Sequence, residues 1–236
     1  MRRVRLKFPS DTDAAAACEV SVWSIDAGSP PPSSTLPNDA EVLAADCPSI
    51  GDPSLVGRVL TRRLLAEMLH IKSHQVALIK DERGRPALNA KRMAFCPAAA
   101  RLDFSCAHSD NLFAAGVALD GRIGVDIEVL RPENVRSPIA CRELAPAEQA
   151  WILALPESER PLAFYHCWTA KEALVKALGL GVSFGMEQIE IVRDAGGVCR
   201  LAKISNSRKL AEGWSLKHRV VEFDEVPALV AVVWAR

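Results

Sequence analysis

Apolar residues in this chain come mostly in runs of strand length, and two stretches hold a helical period long enough for a substantial helix. The first runs from Leu55 to Leu69, with apolar residues at Leu55, Val59, Leu60, Leu64, Leu65, Met68 and Leu69. The second runs from Pro161 to Leu178, with Pro in its first turn and Gly179 just past its end. Around them, Glu19–Ile25, Val76–Lys80, Leu112–Leu119 and Ile123–Val129 read as strands. So do Glu187–Val192, Cys199–Ile204, Ser215–Phe223 and Ala228–Trp234. Cys141 to Leu155 reads as helical segments broken by Pro146. Gly28 to Pro37 is a loop, and Gly84 with Pro86 marks a turn. Asp120-Gly121 is a tight-hairpin signal, with Ile123–Val129 as the returning strand. The expected class is α+β, largely antiparallel, with strands and one main helix in each part. The parts are 18–120 and 121–236, after a loose extension over 1–17.

Composition narrows the function classes. A chain of 236 residues makes one or two domains, and 49% apolar with 25% charged residues is an ordinary globular balance. No apolar run approaches the roughly 20 residues of a membrane-spanning helix; the best, Val226 to Ala235, is strand-sized. Net charge is zero, with 14 basic and 14 acidic residues up to Asp120 and 15 of each after it. A protein held by nucleic-acid backbone needs a basic excess or stripe, so nucleic acid and membrane are both set aside as partners. The basic start, Met1 to Lys7, leads into Pro9, Ser10, Asp11 and Asp13 rather than an apolar signal core. Seven cysteines, an odd number with no CxxC pair, suggest buried thiols in a reducing cytoplasm. His70 and His74 could share a helix face, but no third ligand lies near, so they read as surface histidines.

Two stretches carry chemistry. In Gly124-Val125-Asp126-Ile127-Glu128, strand alternation puts Asp126 and Glu128 on one face. Adjacent carboxylates repel unless a cation separates them; a hard divalent ion with oxygen ligands, such as Mg²⁺, does so. On this pair alone a solvated acidic face is the favoured reading, because D-x-E occurs often by chance. In Trp168-Thr169-Ala170-Lys171-Glu172-Ala173-Leu174-Val175-Lys176, the residues Trp168, Glu172 and Lys176 form one helical stripe. A surface ion pair would give the same spacing. If the stripe faces Asp126 and Glu128, three carboxylates and an ammonium converge, a set able to hold a metal and a polyphosphate.

Taken together, GVDIE at 124–128 and WTAKEALVK at 168–176, with 39 residues between them, resemble the 4′-phosphopantetheinyl transferases of the surfactin-synthetase-activating (Sfp-like) type. The family pattern is G-[IV]-D-[IV]-E and then W-x-x-K-E-[AS]-x-x-K. Arg83-Gly84-Arg85-Pro86 resembles the family's G-[KR]-P turn, and Phe104-Ser105-Cys106-Ala107-His108-Ser109 its F-N-x-S-H-S segment. The likeness covers roughly 19–235. Ser105 and Ala107 depart from the family's Asn and first Ser. Arg62 matches the second of two helix arginines for the coenzyme A 3′-phosphate; the first falls near Pro53 or Ser54, with Arg58 as a substitute.

The resemblance implies two similar α+β halves and transfer of the 4′-phosphopantetheine arm of coenzyme A to a serine of an acyl or peptidyl carrier protein, releasing 3′,5′-ADP. It implies Mg²⁺, with Mn²⁺ as an alternative, on Asp126, Glu128 and Glu172, and places Lys176 on a phosphate. By the same likeness, coenzyme A is bound by Arg62, Arg83, Gly84, Arg85, Pro86, His108, Ser109, Asp126 and Lys176. Glu172, Lys176 and His108 are the expected catalytic residues, with Glu172 as base. The carrier-contact region matches Cys141–Trp151, giving Leu144 and Trp151 as contacts, although both could be core. A cytoplasmic monomer is expected. The competing readings are a metal-dependent phosphodiesterase or nucleotide hydrolase on the same carboxylates, and a non-catalytic binding module.

Overall fold

The computed structural model describes residues 2–10, 13–24, 53–131, 142–181, 184–194, 197–205 and 213–235, with side chains at 9–10, 13–17 and 53–56 left aside. The expected loop Gly28–Pro37 and Cys141 lie outside these residues. The chain divides into two compact units, Met1–Gly121 and Arg122–Arg236. All strand pairing among the described residues is antiparallel, and with the helices this makes the α+β class expected from the sequence.

The first unit is built on a four-stranded sheet in the order β1-β2-β6-β5. Its strands are β1 (Arg2–Ser10), β2 (Asp13–Ser24), β5 (Leu102–Ser109) and β6 (Leu112–Leu119). Helix α1 (Pro53–Leu69) covers one face, where Leu60, Leu64 and Leu65 pack with Trp23, Phe104, Phe113 and Val117. The small hairpin β3 (Leu78–Lys80) and β4 (Pro86–Leu88) stands beside it. The expected loose extension over 1–17 is corrected: Arg2–Ser10 pairs along β2, and Phe8 is 1% exposed. Long-range contacts hold it there. Arg3 bonds Glu67 of α1 at 3.0 Å, Arg5 also meets Glu67, and the Arg3 guanidinium lies 5.1 Å over the Trp23 ring.

The expected hairpin at Asp120-Gly121 is also corrected. β6 pairs with β2 and β5, whereas β7 (Arg122–Val129) pairs with β11 (Val226–Ala235), so the two apolar runs belong to different sheets. Asp120 instead closes the β5–β6 ladder: its N–H donates to Arg101 O at 2.8 Å and its carboxylate takes the Arg101 guanidinium. The two-residue turns are Asp110-Asn111 and Asp224-Glu225. Asp110, Asp224 and Glu225 sit at φ of 51°, 50° and 66°, the left-handed twist that tight hairpins use.

The second unit has a three-stranded sheet, β10 (Ser215–Phe223), β11 (Val226–Ala235) and β7, and a hairpin of β8 (Ile189–Arg193) and β9 (Cys199–Ile204). Helix α2 (Pro146–Ala154) starts at the proline that breaks the preceding segment. Helix α3 (Arg160–Leu178) has Pro161 in its first turn and Gly179 at φ 65° as its stop. Its buried side meets Leu229, Ala231 and Val233 of β11.

Candidate active site

One face of β7 carries Arg122, Gly124, Asp126 and Glu128, and all four meet α3. At Gly124 a Cβ atom would lie 1.7 Å from Ala173 O, so the helix backbone rests directly on the strand. The small Ala173 and Ala177 complete that close approach. Arg122 Nη2 donates to Ala177 O at 2.8 Å. Lys176 Nζ donates to Asp126 Oδ1 at 2.7 Å, and Trp168 Nε1 donates to Glu128 Oε1 at 3.3 Å. The stripe of Trp168, Glu172 and Lys176 therefore faces the acidic pair, and Trp168 orients one of its carboxylates rather than only filling core.

Glu172 lies between these contacts. Burial pushes its carboxyl above the ordinary range, and the charges of Asp126, Glu128 and Glu143 push the same way while Lys176 opposes them. Asp126 is buried at 4% exposure, and its Oδ2 makes no hydrogen bond among the described residues. An all-oxygen donor set that repels itself suits a hard divalent cation. Asp126, Glu128 and Glu172 are thus compatible with such an ion.

Two features of this centre have no short-range signal in the sequence. Lys171, the residue beside Glu172, is fully buried. Its Nζ lies 2.5 Å from Glu148 Oε2 and donates to Glu143 O at 2.9 Å. Glu148, also buried, accepts from the backbone N–H groups of Ala145 and Ile191 at 2.7 Å each. Burial pushes Glu148 up while Lys171 and the two amides pull it down. This pair ties α3 to the start of α2 and to β8. It also holds the segment bearing Glu143, whose carboxylate acts on Glu172.

Of the residues expected to bind coenzyme A, all but Asp126 and Lys176 lie in the first unit. His108 is exposed and Ser109 half-buried at the end of β5, beside the Asp110-Asn111 turn, while Phe104 is core. The Arg83–Pro86 turn is held by Asp81, whose Oδ1 accepts the N–H of Arg83 and of Arg85 at 2.9 Å each. Gly84, at φ 82°, supplies the conformation this turn needs. Arg85 forms a bidentate pair with Asp103, both bonds 2.8 Å, and donates to Phe104 O at 2.9 Å. Its guanidinium holds β5 in place. Arg62 Nη1 donates to Val76 O at 2.6 Å. Arg58 and Arg83 are exposed.

Of the two expected carrier contacts, Leu144 is corrected: it is 5% exposed and packs in the core of the second unit. Trp151 is half-buried and lines a cavity of about 480 Å³ with Leu155, Val192, Arg193, Asp194 and Gly197.

Known proteins match both units. A family model described as the 4′-phosphopantetheinyl transferase superfamily matches residues 122–231, and one for the N-terminal region of 4′-phosphopantetheinyl transferase matches 52–118. The 4′-phosphopantetheinyl transferase HetI of Nostoc sp. is 32% identical over 176 residues, covering 75% of this chain and 68% of the relative. A putative 4′-phosphopantetheinyl transferase of Synechocystis sp. is 35% identical over 137 residues, covering 57% of this chain and 52% of the relative. The 4′-phosphopantetheinyl transferase psf-1 of Bacillus pumilus is 29% identical over 133 residues, covering 56% and 52%. The last two alignments thus span about half the length of those relatives.

Proposed function

This chain belongs to the 4′-phosphopantetheinyl transferase superfamily, and on that premise we propose that it transfers the 4′-phosphopantetheine arm of coenzyme A to a serine of an apo carrier protein. The observation that carries the reading is the convergence of Asp126, Glu128, Glu172 and Lys176 where α3 rests on β7. A hydrolase would use the same carboxylates, but both family matches fall on the transferase pattern.

The reaction joins the serine Oγ to the pantetheine-bearing phosphorus, breaks the bond from that phosphorus to the bridging oxygen, and releases 3′,5′-ADP. Asp126, Glu128 and Glu172 would hold a divalent cation, Mg²⁺ or Mn²⁺, which supplies Lewis-acid stabilisation of phosphate charge. Lys176 adds a compact ammonium for a pyrophosphate oxygen, a point charge suited to a phosphate. Glu172 accepts the serine proton, directly or through a metal-bound water. Trp168 and Lys171 keep Glu128 and α3 in position. His108, Ser109 and Arg83 contact coenzyme A, with Gly84 and Pro86 shaping the turn. Arg62 and Arg85 act by positioning α1 and β5, since their guanidinium groups already bond the backbone and Asp103. Trp151 is retained as a carrier contact. We also place the enzyme in the cytoplasm as a monomer, in keeping with the free thiols of Cys18, Cys96, Cys167 and Cys199. No helix among the described residues is long and apolar enough to cross a membrane.

The test is the intact mass of apo carrier proteins of fatty-acid, polyketide and peptide-synthetase type after incubation with the protein, coenzyme A and Mg²⁺, with and without EDTA. A gain of one phosphopantetheine arm, lost with EDTA, is expected on at least one carrier. Coenzyme A breakdown with no carrier modified would overturn the transferase in favour of the hydrolase.

A further inference from the structure

The second unit holds a second cluster of ligating side chains, composed of different atoms from the first. His166 projects from α3, Cys199 from the first position of β9 and His218 from the middle of β10. One donor atom from each lies within 4.8 Å of the other two. The two imidazole rings are 4.5 Å apart, centre to centre, and nearly perpendicular at 85°. His166 Nδ1 and His218 Nε2 are both buried and make no hydrogen bond among the described residues. Cys199 is a free thiol at 5% exposure.

A buried polar atom left without a partner is costly. Two imidazole nitrogens are left so beside one buried thiol. One ion bound by all three would give each side chain a metal bond. Two nitrogens and a sulfur form a donor set for borderline-soft Zn²⁺ and a poor one for Mg²⁺. In tetrahedral zinc the N and S ligands stand about 3.3–3.6 Å apart, from bond lengths near 2.0–2.3 Å. The observed spacing of up to 4.8 Å needs a contraction of up to about 1.2–1.5 Å.

We propose that His166, Cys199 and His218 form a zinc site distinct from the carboxylate centre, with the fourth position left to water. The ion would join the first half of α3 to β9 and β10, three elements otherwise held together by apolar packing in the same core. His166 stands two residues before Trp168, so the site steadies the segment of α3 that leads into the active centre.

Full-length protein, reduced and stripped of metal with a chelator, is titrated with Co²⁺ as a spectroscopic stand-in for zinc. A thiolate-to-cobalt charge-transfer band saturating at one equivalent per chain is expected, and Zn²⁺ should displace it and raise the thermal midpoint. The band should vanish in folded Cys199→Ala and His218→Gln and persist in Asp126→Asn, whose oxygen centre offers no thiolate. In the wild-type protein, Zn²⁺ should also slow alkylation of Cys199 at least tenfold, mapped by mass spectrometry, a readout independent of any variant's folding. Absence of the band in the wild-type protein overturns the proposal. So does a band that survives Cys199→Ala, or alkylation of Cys199 indifferent to Zn²⁺.

Discussion

At the scale of single residues, Glu172 is the group whose surroundings most affect its chemistry. A general base contributes about 10²–10⁴-fold to rate. Glu172→Gln is therefore expected to lower carrier modification by at least about 10²-fold while coenzyme A binding, followed by calorimetry, stays within a few-fold. Near-normal turnover would remove both the basic and the metal-holding role. Glu143 offers a finer test. Its negative charge helps hold the Glu172 carboxyl up, so Glu143→Gln lowers that carboxyl. A base must be unprotonated, and the rate falls as pH drops through its pKa. The acid limb of the pH–rate profile should then move to lower pH in the variant; movement the other way would contradict the assignment. Asp126, Glu128, Glu172 and Lys176 were legible in the sequence because strand and helix periods fix which side chains share a face. Glu143 was not, because it reaches the centre from outside the strand and helix that carry those four residues. Leu144 was misread for a related reason: proximity to a contact motif says nothing of which way a loop side chain turns.

At the scale of elements, what sequence alternation could not supply was the partner of each strand. Leu112–Leu119 and Ile123–Val129 were both recognisable as strands, yet the Asp-Gly pair between them suggested a ladder that long-range pairing with β2, β5 and β11 replaces. The helix over 160–178 was legible to within a residue, since Pro161 and Gly179 mark its ends. The depth at which it sits on β7 was not, although Gly124 stands within the family motif. That glycine admits the backbone of α3, and a methyl group there would strike Ala173 O at 1.7 Å. Backbone cannot yield as a flexible side chain can. Gly124→Ala is expected to destabilise the protein by at least ~2 kcal/mol, as overpacking of a tight contact does. It should also reduce activity in whatever fraction stays folded, because a lifted helix separates Lys176 from Asp126. Denaturant unfolding with a parallel turnover assay measures both. A stable but inactive variant would show that the contact serves geometry alone.

At the scale of the whole molecule, each unit has its own sheet, helix and core, and the N-terminal strand belongs to the first of them. Val4, Leu6 and Phe8 alternate with Arg3, Arg5 and Lys7, the pattern of a strand with one apolar face, which the expectation of a loose extension passes over. The reasons for its pairing lie far along the chain. Glu67, on α1, receives Arg3 and Arg5, and Phe8 is sealed from solvent. The Arg partners outweigh partial burial and lower the Glu67 carboxyl, so their contribution is present above its unfolded pKa and is lost as pH falls. Being exposed, that ion pair is worth little and is screened by salt. Burial of Phe8 alone is worth about 1.5–3 kcal/mol. Deleting residues 2–10 should therefore lower stability by at least that amount, and 0.5 M salt added to the intact protein should not reproduce the loss. The deletion also bares the edge of β2, an open row of backbone groups prone to pairing with another chain. Hydrogen exchange locates the damage: protection should fall over 13–24, 53–69 and 102–119 and be kept over 122–129 and 160–178. Equal loss in both sets would mean that β1 supports the two units together, and no loss would mean that it lies on the sheet without holding it.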